Sequence, residues 1–200
     1  MLPGKRAVAG ADTVKAPRVR CDEARLLGQI ADGDVRAFEE LYRTYHPRLT
    51  RFLNNMTRRA HLVEEILDDT MMVVWERPGS YAGASRFSTW IFAIAYRKAL
   101  SAMRRYDEPM EDERAEARPS GEPGPDQQFE RLQTHEALFG ALGELSAEHR
   151  AVVDLAYFHE AGYREIAEIM DCPVDTVKTR MFHARRRLKA RLAGALTDWL

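Results

Sequence analysis

Gly162-Tyr163-Arg164-Glu165-Ile166-Ala167-Glu168-Ile169-Met170 is followed by Asp171-Cys172-Pro173. The chain then continues as Val174-Asp175-Thr176-Val177-Lys178-Thr179-Arg180-Met181-Phe182-His183-Ala184-Arg185-Arg186-Arg187-Leu188-Lys189. Before the break, Tyr163, Ile166, Ala167 and Met170 recur at steps of three and four, which places them on one helical face. After it, Val174, Val177, Met181, Ala184, Leu188 and Leu192 repeat the pattern. Pro173 suits a fresh helix start, because a first-turn residue has no intrahelical use for its amide hydrogen. Two short amphipathic helices across a tight turn form a helix-turn-helix.

Charge separates this pair from an ordinary helical hairpin. From Val174 to Leu192 the basic residues are Lys178, Arg180, Arg185, Arg186, Arg187, Lys189 and Arg191, against the single acid Asp175, so the segment carries +6 in a chain of net −1. A helix apolar along one stripe and cationic elsewhere packs on its own domain while facing a polyanion. The plainer alternative is a solvated charged face. The coincidence of helix, turn and charge favours duplex DNA.

With 200 residues, 45% of them hydrophobic, the chain has material for one large or two small cores. It lacks a long uncharged apolar run, so neither a membrane span nor a signal peptide is expected. Cys21 and Cys172 are too few for a disulfide framework and suit a reducing cytoplasm. Residues 1–21 hold Lys5, Arg6, Lys15, Arg18 and Arg20 against Asp12, without apolar periodicity, and read as a disordered basic tail.

The first folded segment spans residues 22–105. Leu26, Leu27 and Ile30 open a helix that closes at Asp32-Gly33-Asp34. Phe38, Leu41, Tyr42 and Tyr45 carry the next to Pro47, and Leu49, Phe52, Leu53 and Met56 continue it. From His61 to Trp75, Leu62, Ile66, Thr70 and Val73 share a face, broadened by Val63, Leu67, Met71 and Val74, while Glu64, Glu65, Asp68 and Asp69 cluster opposite. Turn signals at Arg77-Pro78-Gly79-Ser80 and Ala82-Gly83 precede a last helix from about Ser88 to Arg105, with Trp90, Ile91, Ile94, Ala95 and Leu100 as core candidates. No strand-like alternation occurs, so the class is all-α: two small helical domains, the second with the helix-turn-helix.

Between them, residues 106–128 hold four prolines, two glycines and eight acids. A segment this polar cannot offset its ordering entropy and reads as a flexible acidic linker. Its 23 residues reach at most roughly 75 Å at about 3.3 Å each. The second domain, 129–200, opens with Leu132, Ala137, Leu138 and Leu142. Ser146 then stands two residues before Glu148, one short of a capping box. Val152, Val153, Leu155, Ala156 and Phe158 supply a helix beneath the helix-turn-helix.

Val63-Glu64-Glu65-Ile66-Leu67-Asp68-Asp69-Thr70, leading to Val74-Trp75, resembles region 2.2 of bacterial sigma factors. Tyr81-Ala82-Gly83, Phe87-Ser88-Thr89-Trp90-Ile91 and Ile94-Ala95, ending at Arg104-Arg105, resemble regions 2.3 and 2.4. Cys172-Pro173 with Thr176-Val177-Lys178-Thr179-Arg180 resembles region 4.2. Both halves, without a long domain between them, resemble the extracytoplasmic-function group of the sigma-70 family. The resemblance implies a cytoplasmic, non-enzymatic factor without cofactor or metal. It implies that the factor binds core RNA polymerase, promoter DNA and a cognate anti-sigma factor.

Charge and place on the helix make Lys178, Arg180, Arg185 and Arg186 phosphate and base-edge candidates, with Thr176, Thr179, Phe182 and His183 for groove contacts, and the resemblance singles out Lys178, Thr179 and Arg180 for a −35 element read in duplex. Carried over residue by residue, the resemblance also covers the first domain. It implies a −10 site of Tyr81, Arg86, Trp90, Arg97, Lys98, Arg104 and Arg105, read as melted strand. It makes Glu64, Glu65, Asp68 and Asp69, with Met72 and Trp75, the surface that docks on the polymerase clamp helices. Arg97 and Ser101 depart from the family's common Asn and Asp, and Asp171, Asp175 and Thr179 from its common Gly, Gly and Ser. Asp tolerates a left-handed turn.

Each assignment has a structural alternative. Phe182 is equally a half-buried aromatic, Trp90 a core residue, the acidic cluster a solvated face and the linker a spacer rather than a nucleic-acid mimic. An enzyme would need more than the His61–Glu64 pair, since helical dimetal sites require a second matching set. Cys172, His159 and His183 match no zinc spacing. A stand-alone repressor or activator would need a dimer surface or ligand pocket, which the first domain does not offer.

Overall fold

The computed structural model describes residues 16–107 and 140–197, with side chains at 22–106 and 140–192. The expected linker, apart from its first residues, and the start of the second segment lie outside the described residues. So do residues 1–15 and the Cys21 side chain. Among the described residues there are seven α-helices and no strand: α1 Ala16–Ala31, α2 Val35–Thr57, α3 Ala60–Glu76, α4 Phe87–Asp107, α5 Ala147–Tyr157, α6 Tyr163–Met170 and α7 Val174–Thr197. A 3-10 turn, Pro78–Ser80, follows α3, and residues 140–143 form a helical turn. Helix α1 thus starts at Ala16, inside the stretch expected to be a tail.

Local chemistry explains the boundaries. Asp34 caps α2, its carboxylate accepting the amides of Arg36 at 2.8 Å and Ala37 at 3.3 Å. Pro47 removes one ladder bond without ending α2, whose Leu41, Tyr45, Leu49, Phe52, Leu53 and Met56 stay buried on one face. Ser146 caps α5, but the residue that reaches back is His149, its amide 3.4 Å and its ring Nδ1 2.6 Å from Ser146 Oγ. That explains the spacing that seemed one residue short. At α6, Glu165 reaches back to the Gly162 amide at 3.0 Å, half of a capping box. Asp171 ends α6 in the left-handed region at φ 49°, and Cys172 donates its amide to Ala167 at 3.1 Å, so the expected Gly-like turn forms on Asp.

Helices α2, α3 and α4 pack on one another, with α1 against α2 and the 3-10 turn. The second segment does not stand apart: α5 lies on α2, α6 on α4, and both support α7, so one apolar cluster runs from Leu26 to Ala184. At the seam, Asp154 is 2% exposed although it carries a carboxylate. It accepts from Asn55 Nδ2 at 2.6 Å and faces His159 Nε2 at 3.1 Å without an aligned hydrogen bond. The His159 ring lies 4.5 Å from the Phe92 ring and 6.3 Å from that of Phe52, centroid to centroid.

Arg150 supplements this contact from α5. Its guanidinium donates to Met56 O at 2.7 Å and to Leu145 O at 2.6 Å, satisfying a last-turn carbonyl of α2 from across the seam. Burial, then the neighbouring Arg58, lowers its affinity for the proton. A Cβ on Gly143 would stand 1.7 Å from Arg58 Nη1, so the tip of that side chain would have to move aside. Phe158, expected in the core, instead lies 43% exposed at the rim, with the Arg51 guanidinium carbon 3.7 Å from its ring centroid.

Replacing Asp154 by Ala strands Asn55 and His159 without their partner. The expected loss is about 1–3 kcal/mol in urea unfolding, with Asp154→Asn losing less. Wild-type stability in the Ala variant would show that the seam does not rest on this group.

Candidate nucleic-acid interface

Helix α7 is held by Val177, Met181 and Ala184, all buried against α5 and α6. Burial of that stripe turns Lys178, Thr179, Phe182, His183, Arg185 and Arg186 to the surface, so six of the eight expected −35 residues share one exposed side. Phe182 is 62% exposed, which decides against the half-buried reading. Lys178 Nζ bonds Asp175 at 2.9 Å, and Thr179 Oγ1 bonds the Asp175 carbonyl at 2.9 Å. His183 stands 6.4 Å from His149, ring to ring. Burial and the nearby Arg187 hold His149 below the ordinary imidazole range.

Thr176 and Arg180 differ from the other six, being only half-exposed. Arg180 Nη1 lies 3.8 Å from the free thiol of Cys172 and turns toward α4. There burial raises the Tyr96 hydroxyl pKa, and Arg180 partly offsets that rise. Glu148 is held below the usual carboxylate range. Its burial works the other way, but its own amide, the Ser146 hydroxyl and Arg180 outweigh it.

The expected −10 residues divide. Tyr81, Phe87 and Trp90 form an aromatic cluster with centroids 5.4–5.6 Å apart, and Tyr81 donates its hydroxyl hydrogen to Ser85 O at 2.6 Å. Trp90 is half-buried, so it serves the core and shows an edge. An open groove of about 360 Å³ runs between α1 at Leu27 and Gly28 and the loop at Pro78, Tyr81 and Gly83. Gly83 has φ +71°, a conformation that favours glycine. Arg97 and Arg104, seven apart on α4, are exposed.

Arg86 instead crosses the seam to Glu165 at 3.2 Å. Lys98 pairs with Asp69 at 2.8 Å and Arg105 with Glu65 at 3.3 Å. Helices α3 and α4 therefore zip an acidic stripe to a basic one. Glu64 and Asp68, by contrast, make no ion pair among the described residues. Met72 is 52% exposed beside them, while Trp75 packs edge-on against Phe38 at 5.3 Å.

The histidines weighed as ligands are engaged elsewhere: His61 with Tyr106 at 5.0 Å, His159 with Asp154. Among the described residues no three of His, Cys, Asp and Glu gather into a metal-holding group, and no helix is long and apolar enough to cross a membrane. The residues that sequence reasoning missed are those of the seam: Asn55, Tyr96, Arg150 and Asp154. One signal was present, an acid inside the apolar run Val152-Val153-Asp154-Leu155.

Comparison with known proteins fits this geometry. Residues 41–108 match the family model for sigma-70 region 2, and residues 135–188 that for sigma-70 region 4. The chain is 30% identical over 176 residues to the ECF RNA polymerase sigma factor RpoE of Cereibacter sphaeroides, covering 87% of this chain and 97% of that protein. It is 30% identical over 163 residues to the ECF RNA polymerase sigma factor SigM of Bacillus subtilis, covering 80% and 98%. Among solved structures, RpoE in complex with the anti-sigma factor NepR from Bartonella quintana aligns with TM-score 0.60 and 25% identity, over 78% of this chain and 96% of that one. CnrH in complex with the cytosolic domain of CnrY shares the fold, with TM-score 0.63 and 21% identity over 86% and 98%. With both sigma regions in order and full-length relatives at this identity, the chain belongs to the extracytoplasmic-function sigma factors of the sigma-70 family.

Proposed function

We propose that the chain binds core RNA polymerase and directs initiation by reading a −35 element as duplex and a −10 element as melted strand. The observation that carries this is the exposed side of α7, where Lys178, Thr179, Phe182 and Arg186 stand clear of the buried Val177–Met181–Ala184 stripe. A helix of this kind fits the major groove, where long side chains reach base edges and the cationic flank meets phosphate. Residues 129–200 form the −35 unit in this reading and residues 22–105 the −10 unit.

For the −10 element, the groove beside Tyr81 and the Trp90 edge offer an unstacked base an aromatic wall, with Arg97 and Arg104 for backbone. Lys98 and Arg105 contribute less, because their charges are matched by Asp69 and Glu65. Opening duplex costs a few kcal/mol per flipped base, more than a small helical unit supplies alone, so docking on polymerase contributes. Glu64, Asp68 and Met72 suit that docking: two unmatched acids around an exposed thioether side chain. An anti-sigma partner is part of the proposal, since RpoE of Bartonella quintana, 25% identical, was solved with one.

In the closed arrangement Arg86 is tied to Glu165 and Arg180 faces Tyr96. Both readers are engaged at the seam, so promoter binding requires the two units to part.

Lys178→Ala in reconstituted holoenzyme should weaken binding to a promoter duplex by about 1–3 kcal/mol and relax preference at one −35 base. Unchanged affinity and preference would overturn the −35 reading. Reversing Glu64 and Asp68 to Lys should cut association with core polymerase while helicity stays intact, and wild-type affinity in a core titration would return these acids to a solvated face. Dyes at exposed residues 43 and 168 should lose energy transfer when polymerase and promoter are added. Constant transfer would mean that DNA is bound with the seam shut.

A further inference from the structure

Tyr157 is the last residue of α5, after the buried run Ala151 to Leu155, and is 57% exposed. No core contact accounts for an aromatic ring held out in this way. Its hydroxyl accepts from Arg185 Nε at 3.1 Å, and the Arg185 guanidinium carbon lies 5.7 Å from the ring centroid. The Tyr157 hydroxyl therefore anchors one arginine of the recognition helix from a different helix.

The choice of partner matters. Lys178 is paired with Asp175 and Arg191 with Glu144, at 2.9 and 2.8 Å, so each meets a carboxylate. Arg185 is held by a neutral phenol, which fixes the side chain without cancelling its charge. With Nε engaged, the four Nη hydrogens remain as a planar fork, the geometry that suits a phosphate. A phenol that accepts through oxygen still has its own hydrogen to donate, and among the described residues that hydrogen has no acceptor. Guanidinium and phenol donors thus converge at one place on the exposed side of α7.

We propose that Tyr157 is a positioning residue that orders Arg185 and, with it, forms a two-residue clamp for one phosphate of the DNA backbone beside the −35 element. An unrestrained arginine loses rotamer freedom on contact. A side chain already held by a hydrogen bond at the hydroxyl edge of the ring loses less. The clamp senses backbone position and not base identity, so it sets how deeply and in what register α7 sits. The proposal rests on the reading that α7 enters the groove.

The test uses holoenzyme reconstituted from full-length chain and core polymerase. The probe is a fluorescent promoter duplex selected from a random pool by the wild-type holoenzyme. Anisotropy is read over a KCl series. Arg185→Ala should weaken binding roughly tenfold and lower the salt slope by about 0.9, the loss of one phosphate contact. Tyr157→Phe, which keeps the ring, should weaken it three- to tenfold, equally for duplexes altered in the −35 bases. The double variant should bind no worse than Arg185→Ala.

Wild-type binding by Tyr157→Phe, or additive losses in the double variant, would overturn the positioning role. Wild-type binding and slope in Arg185→Ala would overturn the clamp itself. Whether α7 reads the −35 element is judged separately, by base preference in Lys178→Ala, so the two failures are distinguishable. Core binding and far-UV dichroism of each variant control for folding, and a misfolded Tyr157→Phe is replaced by Tyr157→His, which keeps a ring and a polar edge and should restore part of the affinity. Failure of that rescue with intact folding counts against the proposal.

Discussion

A buried carboxylate needs partners, and Asp154 finds one of its two, Asn55, across the seam. Its oxygens meet Asn55 of α2 and His159, which itself sits against Phe52 and Phe92. Desolvating a charge without such partners costs several kcal/mol. The position of α5 over α2 is therefore specified far more tightly than apolar burial alone would require. Arg150 adds a second tie by serving Met56 O from the other side. Helix α6 lies on α4, and α7 packs on α5 and α6 through its buried Val177, Met181 and Ala184.

That placement sorts the charges. On α3 and α4 the acids and bases are interleaved so that Asp69 and Glu65 neutralise Lys98 and Arg105, leaving Glu64 and Asp68 outward. Such exposed pairs are worth at most about 1 kcal/mol each, so their effect is on the local field more than on stability. On α7 the sorting goes the other way, with one acid against seven bases. Among the described residues, Arg185, Arg186, Arg187 and Lys189 meet no carboxylate, whereas Lys178 and Arg191 do. Net charge near zero for the whole chain hides two surfaces of opposite character, one suited to a protein partner and one to a polyanion.

The seam also links regulation to fold. It covers a polar contact network and several apolar side chains of α4, including Phe92, Ala93 and Tyr96, that would be wetted if the units parted. Parting is therefore unfavourable in isolation, and in the proposed reading polymerase and DNA contacts offset it through their differential affinity for the open form. An open groove of about 290 Å³ lies at the seam between Asn54, Arg58, Leu142 and Phe158.

The sequence by itself determined the all-helical class, the helix-turn-helix and the helix boundaries to within a few residues, apart from the start of α1, which lies inside the expected tail. These follow from periodicity, caps and breakers that act within a turn or two of chain. It also determined the cationic side of α7, because once Val177, Met181 and Ala184 are buried, spacing alone forces Lys178, Phe182 and Arg186 outward. The family followed from two local patterns in order.

What only tertiary structure decided are the pairings between residues far apart in the chain. These are Asn55 with Asp154, Arg86 with Glu165, Lys98 with Asp69 and Arg185 with Tyr157. The exposure of Phe158 and the half-burial of Arg180 were decided there too. Periodicity states which side of a helix is apolar. It does not state which helix will lie against it, and a charged side chain takes its meaning from the partner that packing brings within hydrogen-bonding distance.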